Sequence, residues 1–202
     1  MAAFDHLAVS AATLDEGAAV VEAALGLPVG PGGVHPFMGT HNRLLGLGPG
    51  EYLEVIAIDP AAPAPPHPRW FRLDRFCGAP RLSNWIVRVE DLDAALVMAP
   101  DGAGQAVDLE RGSYRWRMAV PADGCLPFDD AFPALIQWRG SLHPAAQLPD
   151  LGCRLVRLEI AHPEAEALRA ALPVSDPRLI VVPGERALRA TIATPHGERH
   201  LG

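Results

Sequence analysis

The chain contains no lysine, so its 17 strongly basic side chains are all arginines, set against 24 acidic ones. This excludes Schiff-base chemistry and a lysine general base. Any anion must be held by guanidinium groups, backbone amides or a metal. A formal charge of −7 argues against a nucleic-acid partner, which needs a concentrated basic face. Cysteine is scarce as well: Cys77, Cys125 and Cys153 stand far apart with no CxxC pair. Neither a disulfide framework nor a cysteine zinc site is expected, and reduced thiols point to the cytoplasm. No apolar run approaches the roughly 20 residues that cross a bilayer, and the opening MAAFDHLAVS lacks the basic-then-apolar order of a secretory signal. No membrane partner is therefore expected. What remains is an ordinary globular composition, 49% apolar and 20% charged over 202 residues, enough for one large domain or two small modules.

The most informative stretch is His35 to Pro60, HPFMGTHNRLLGLGPGEYLEVIAIDP. His41–Leu47 and Tyr52–Ile58 read as antiparallel strands joined through Gly48-Pro49-Gly50. Alternation places Tyr52, Glu54, Ile56 and Ile58 on one face, with Leu53, Val55 and Ala57 on the other. Glu54 is the anomaly, because a carboxylate buried in mid-strand is costly unless it is paired or binds a metal.

Before this hairpin, Phe4–Val9 reads as a strand with Phe4, His6 and Ala8 on one face. Thr13-Leu-Asp-Glu16 forms a capping box for a helix that Gly26 ends. Residues 28–39, rich in Pro and Gly, read as a loop, and His35, Thr40 and Asn42 there and at the following strand entry suit a cup mouth, capping or turn roles. Residues 61–68 form a proline-rich extended connector, and 69–80 have no clear pattern. Asn84–Val89 is again a strand, followed by a helix from Asp91 to about Met98. Strands are expected at Ala106–Leu109, Tyr114–Val120 and Leu135–Arg139. Asn84 stands 78 positions after His6, as Leu92 stands after Leu14, which indicates an internal repeat. Aligning the last strands of the two halves sets Glu54 against Gln137, a shift of 83. A third, partial βαββ unit follows: a strand at Leu155–Ile160, a helix from Pro163, and a hairpin of Leu179–Val182 with Leu188–Ile192.

With FDHLAV, the GTHN…YLE hairpin, SYRWRMAVPADG and LIQW in place, the first 150 or so residues resemble the vicinal oxygen chelate superfamily, and within it the bacterial glyoxalase-like domain proteins. The resemblance implies an α+β fold of tandem βαβββ modules, the glyoxalase, bleomycin-resistance and extradiol dioxygenase fold, whose curved mixed sheet encloses a cup. The modules would span about 1–60 and 81–145 with a linker at 61–80, and residues 151–202 would pack on them as an appendage. It also implies a divalent metal held by a His on the first strand and a Glu on the last strand of each module. His6 and Glu54 match the first pair. Asn84 and Gln137 stand at the second, and neutral amides are poor ligands for a transition metal.

Two outcomes are open for His6 and Glu54: a partial metal site that His41 completes if it turns inward, or a buried His–Glu pair with no metal cofactor, in which Glu54 acts as general base. Asn84 and Gln137 are expected to line the same cup. Arg115 and Arg117 share one strand face and Arg139 shares one with Gln137, forming either a carboxylate or phosphate clamp or a solvated charged face. His67, His143, His196 and His200 read as surface residues. The functional expectation is a small-molecule protein, monomeric or homodimeric, whose ligand is a carboxylate or aromatic. It is either a glyoxalase-like lyase, isomerase or dioxygenase using Glu54 and His6, or a non-catalytic binding module.

Overall fold

The structure, a computed structural model, describes residues 2–202. The chain begins with β1 (Ala3–Ser10) and α1 (Leu14–Leu25). Thr13 Oγ1 accepts from Glu16 N at 3.2 Å, and Gly26 closes the helix at φ 73°, donating its N–H to Glu22 O. Both caps behave as the sequence predicts, because Thr satisfies an orphan amide and Gly adopts the left-handed turn without strain. β2 (Gly30–His35), β3 (Thr40–Gly46) and β4 (Tyr52–Ile58) complete the first module. Much of the expected loop is thus a strand. β2 lies at the sheet edge, where Pro31 owes no ladder hydrogen bond.

The second module runs through β5 (Arg81–Arg88), α2 (Leu92–Met98), β6 (Gln105–Arg111), β7 (Tyr114–Val120), the single turn α3 (Pro127–Asp130) and β8 (Ala134–Arg139). All eight strands form one curled, half-barrel sheet in the order β2-β3-β4-β1-β5-β8-β7-β6, giving the α+β architecture of paired modules. The register displays the repeat. His6 pairs with Ile86 and Ala8 with Asn84, two pairs that exchange under the 78-residue shift, so Asn84 is the counterpart of His6. Ala8 also pairs with Glu54, while Ile86 pairs with Ala134. Glu54 therefore corresponds to Ala134 rather than to Gln137. The expected shift was three residues too long, and an odd slip moves a side chain to the opposite sheet face.

On the convex face, Leu7, Val9, Leu53, Val55 and Trp85 pack against Val21 and Leu25 of α1. The concave face presents Ala8, Ile56, Ile86 and Ile136 to Trp70, Phe71 and Leu73. Those three belong to a short 3-10 segment, Trp70–Arg75, so the region without a sequence pattern is the plug of the cup. A register shift between Phe4 and His6 marks a bulge at Asp5. It turns Phe4 into the convex core with Leu7 and Val9, away from the His6 face where alternation placed it.

β9 (Arg154–His162), α4 (Ala165–Ala171), β10 (Leu179–Pro183), β11 (Ala187–Thr194) and β12 (Gly197–Leu201) make a second sheet ordered β10-β9-β11-β12. The expected hairpin does not form. β9 lies between β10 and β11, and the hairpin is β11 with β12. Leu158, Ile160 and Ile192 of this sheet join the convex core.

Candidate functional site

The concave side of β1 and β4 carries a buried polar chain. The bulge lets Asp5 and His6 act together: His6 Nδ1 lies 2.6 Å from Asp5 Oδ1. On its other side, His6 Nε2 is 3.6 Å from Glu54 Oε1, an ion-pair separation too long for a hydrogen bond. The Tyr52 ring stacks on the imidazole at 4.3 Å and 13°. Asp5 Oδ2 accepts from Trp138 Nε1 at 3.0 Å and faces His143 Nε2 at 3.2 Å. His143 is therefore part of the site and not a surface residue. Its sequence neighbourhood offered no signal, because the contact joins residues 138 positions apart.

Glu54 is fixed from β3. Asn42 Nδ2 donates to Glu54 Oε2 at 2.8 Å, and Asn42 Oδ1 accepts from Gly33 N at 3.0 Å and Arg111 Nη1 at 2.9 Å. His35 Nδ1 meets Thr40 Oγ1 at 3.0 Å, with its Nε2 directed toward Asn42 Nδ2 at 3.4 Å. Thus His35, Thr40 and Asn42 do gather at the cup, as an inner wall.

Burial disfavours every charge here, and the partners decide which charges survive. For His6, burial opposes protonation, but Asp5 and Glu54 more than offset it and raise the imidazole pKa. For Glu54, burial is likewise outweighed by His6, His35 and Asn42, which hold its pKa below the ordinary value. Asp5 is held well below the carboxylate range because His143 and His6 outweigh its burial. For His35, burial outweighs the attraction of Glu54 and, with the nearby Arg111, brings it down to about 4. The partners thus favour an imidazolium at His6 between two carboxylates, while burial favours a neutral imidazole at His35.

The other expected site residues lie elsewhere. Gln137 faces α2, its Nε2 donating to Glu90 O at 2.6 Å and its Oε1 accepting from Leu92 N at 3.3 Å. Arg117 forms a fork with Asp93 of α2 at 2.7 and 2.8 Å, Arg139 pairs with Asp108 at 2.8 Å, and Arg115 with Glu110 at 3.1 Å. These three arginines form a charged outer face, not a clamp in the cup. His41 alternates with Asn42 and so faces the side of α1, where it cannot assist Glu54. Asn84 is on the concave face but behind the Phe71 plug, in a separate pocket.

This arrangement does not suit a divalent cation. The counterparts of His6 and Glu54 are Asn84 and Ala134, and among the described residues no three His, Cys, Asp or Glu side chains are grouped to hold a metal. His6 and Glu54 leave the set short of the three or four strong donors such sites use.

The space bounded by His6, Glu54, Trp70 and Trp138 is small, about 20 Å³. Beside it lies a cleft of about 700 Å³ between β2, β3 and the β6–β7 turn, walled by Leu44, Tyr114 and Leu148. Arg111 lines both spaces. Its guanidinium holds Asn42, lies 5.3 Å from the Tyr114 ring centroid, and has no carboxylate partner among the described residues. Sequence reasoning missed it because it stands at a strand end beside the turn at Gly112, where nothing local marks an inward contact.

A curled sheet of two βαβββ modules with a His–Glu pair on its concave face defines a vicinal oxygen chelate protein. Residues 4–174 match the family described as a glyoxalase-like domain, and the chain belongs to that family. No curated protein matches it. Among solved structures, a hypothetical protein from Staphylococcus aureus is 13% identical over 92% of this chain and 87% of its own, with a TM-score of 0.60. Methylmalonyl-CoA epimerase from Mycobacterium tuberculosis is 18% identical over 71% of this chain and 91% of its own, with a TM-score of 0.45. A Streptomyces coelicolor methylmalonyl-CoA epimerase variant bound to 2-nitronate-propionyl-CoA is 16% identical over 69% and 97%, with a TM-score of 0.43. At these identities the likeness concerns the fold.

Proposed function

We propose that this protein catalyses proton transfer on a small oxygenated carboxylate, with Glu54 as the base. The observation that supports this is the buried chain Asp5–His6–Glu54 at the inner end of an apolar cleft. Glu54 is held ionised by His6, His35 and Asn42, so it can accept a proton without first losing one, and the apolar wall keeps water from competing for it. The substrate carboxylate pairs with Arg111, which has five donors and no acidic partner in the cleft. Glu54 then takes the proton from the carbon beside a carbonyl. His6, whose Nε2–H makes no hydrogen bond at 3.6 Å from Glu54, donates to the enolate oxygen as charge develops there. Asp5 holds His6 in the tautomer and charge state for that task.

A second reading, a non-catalytic binding module, is favoured by one observation: the inner space is about 20 Å³ against about 700 Å³ in the cleft. Catalysis requires Arg111 to swing and join the two. Deuterium exchange into a panel of 2-oxo acids in D2O, followed by proton NMR, separates the readings. Wild-type protein should catalyse exchange into at least one of them, and Glu54→Gln and His6→Asn should each reduce it by about 10²-fold or more. Saturable binding with no exchange in wild type would leave the binding module.

A further inference from the structure

Beyond the Phe71 plug lies another pocket, about 450 Å³, which the proposed proton transfer does not use. Its walls carry four guanidinium groups, Arg72, Arg75, Arg81 and Arg186, against the two carboxylates Asp129 and Asp130, a formal charge of +2. Arg72 is neutralised by its neighbours: its Nε lies 2.5 Å from Asp130 Oδ2, as an ion pair without hydrogen-bond alignment, and its Nη2 lies 3.6 Å from Asp129 Oδ1. The other three arginines are not neutralised in this way. Arg186 donates to the backbone carbonyls of Ser83, Asp129 and Asp130. Arg81 donates to Cys77 O and Ala79 O and lies 4.4 Å from the Phe76 ring centroid. Arg75 forms no hydrogen bond or ion pair among the described residues. In a chain of net charge −7, this concentration of positive charge on one concavity stands out.

An independent observation concerns a residue of the same wall. Asn84 is 1% exposed, lines this pocket, and its Nδ2 has no acceptor. A buried N–H donor left unpaired is costly, and a bound acceptor would relieve that cost. An oxyanion is the ligand that satisfies both features, accepting from the amide while neutralising the guanidinium groups. We propose that this pocket binds the phosphoryl group of a small phosphomonoester, with Asn84 donating from the floor and Arg75, Arg81 and Arg186 supplying charge. A dianion matches the formal +2 where a monoanion leaves half of it uncompensated. The volume exceeds a bare phosphate, and Phe71 and Phe76 offer an apolar wall to the rest of the molecule. The pocket occupies the place in the second module that His6 occupies in the first. The repeat has kept a polar floor position in both halves and given each a different ligand chemistry.

Calorimetric titration of the full chain at constant ionic strength tests this, using phenyl phosphate, inorganic phosphate and phenyl sulfate as probes. Phenyl phosphate should bind saturably, and phenyl sulfate, of the same shape with one charge fewer, about tenfold or more weakly. Inorganic phosphate binding as tightly as phenyl phosphate would remove the ester from the proposal. The double variant R75Q/R81Q, both of whose side chains are exposed, should weaken phenyl phosphate by about tenfold or more. Asn84→Asp should weaken it further by setting a carboxylate against the anion. His6→Asn and Glu54→Gln, on the other side of the plug, should leave the affinity unchanged, which keeps this outcome separate from the fate of the proton-transfer reading. Equal affinity for the phosphate and sulfate esters, or undiminished affinity in R75Q/R81Q with its fold intact by circular dichroism, would overturn the proposal.

Discussion

His35 differs from its neighbours in that it is buried, neutral and held only by uncharged groups, Thr40 at 3.0 Å and Asn42 at 3.4 Å. Its pKa of about 4 in the folded chain, against 6.5 for an exposed imidazole, means that the unfolded chain binds a proton between those values and the folded chain does not. Stability should therefore fall as pH drops from about 6.5 to about 4, by on the order of 2–3 kcal/mol. His6 works in the opposite sense. Its pKa is raised, so its contribution is fully present below pH 6.5 and is lost as pH climbs through the folded value. The lowered pKa of Glu54 confines its loss to pH below about 4.5. Urea unfolding of wild type and His35→Phe across pH 4 to 6.5 isolates the term. The variant should show a flatter dependence over that window, and parallel curves would refute the assignment. At this scale Glu54 was legible because a charge in an apolar strand demands a partner. Arg111 and His143 were not, because nothing local marks a long-range contact.

Helix α1 shows how an element can obey its sequence in outline and contradict a propensity within it. Gly17 lies inside the helix, where replacement by Ala ordinarily stabilises by about 1 kcal/mol. Here the added Cβ would lie far inside van der Waals contact of Val55 Cγ1 and 2.7 Å from Ala11 Cβ. Gly17 is thus the notch that lets the helix lie close on β4. Gly17→Ala should destabilise by about 1–2 kcal/mol net, since overpacking costs about 1–3 kcal/mol, with a lower urea midpoint at unchanged slope. A midpoint equal to or above wild type would show that α1 can move away from the sheet. The 3-10 plug fares differently. Phe71 and Arg72 hold φ of 57° and 52°, and Phe128, Asp129 and Asp130 hold 55°, 52° and 67°. Such left-handed residues are unfavourable outside glycine, and no local pattern predicts them. Both turns border the arginine pocket.

On the scale of the molecule, the two sheets share one core: Leu158, Ile160 and Ile192 of the second sheet pack with Leu7, Val9 and Leu25 of the first half. Arg178 adds a fork to Glu51 at 2.9 and 2.7 Å and lies 5.7 Å from the Phe4 ring centroid. The whole chain should therefore unfold in one transition, with coincident far-UV and near-UV signals. A fragment of residues 1–150 should lose its near-UV signal and aggregate, because its convex face would be uncovered. A fragment that melted cooperatively near the full-length temperature would make the second sheet an accessory.

Several features were determined by the sequence alone: the order of strands and helices apart from β2 and β12, the caps of α1, the 78-residue repeat and the two faces of β4. These rest on short-range rules of period, cap and turn that hold wherever the segment goes. The tertiary structure decided what those rules do not reach. A bulge at Asp5 re-aimed Phe4, and a three-residue difference in register sent Gln137 outside and left Ala134 opposite Ile86. The segment at 70–75 divided the cup, isolating Asn84 from His6. Each depends on how strands join across the sheet and what covers it. Sheet register is set by pairing energies between residues far apart in the chain, and a single residue of slip exchanges the inside for the outside.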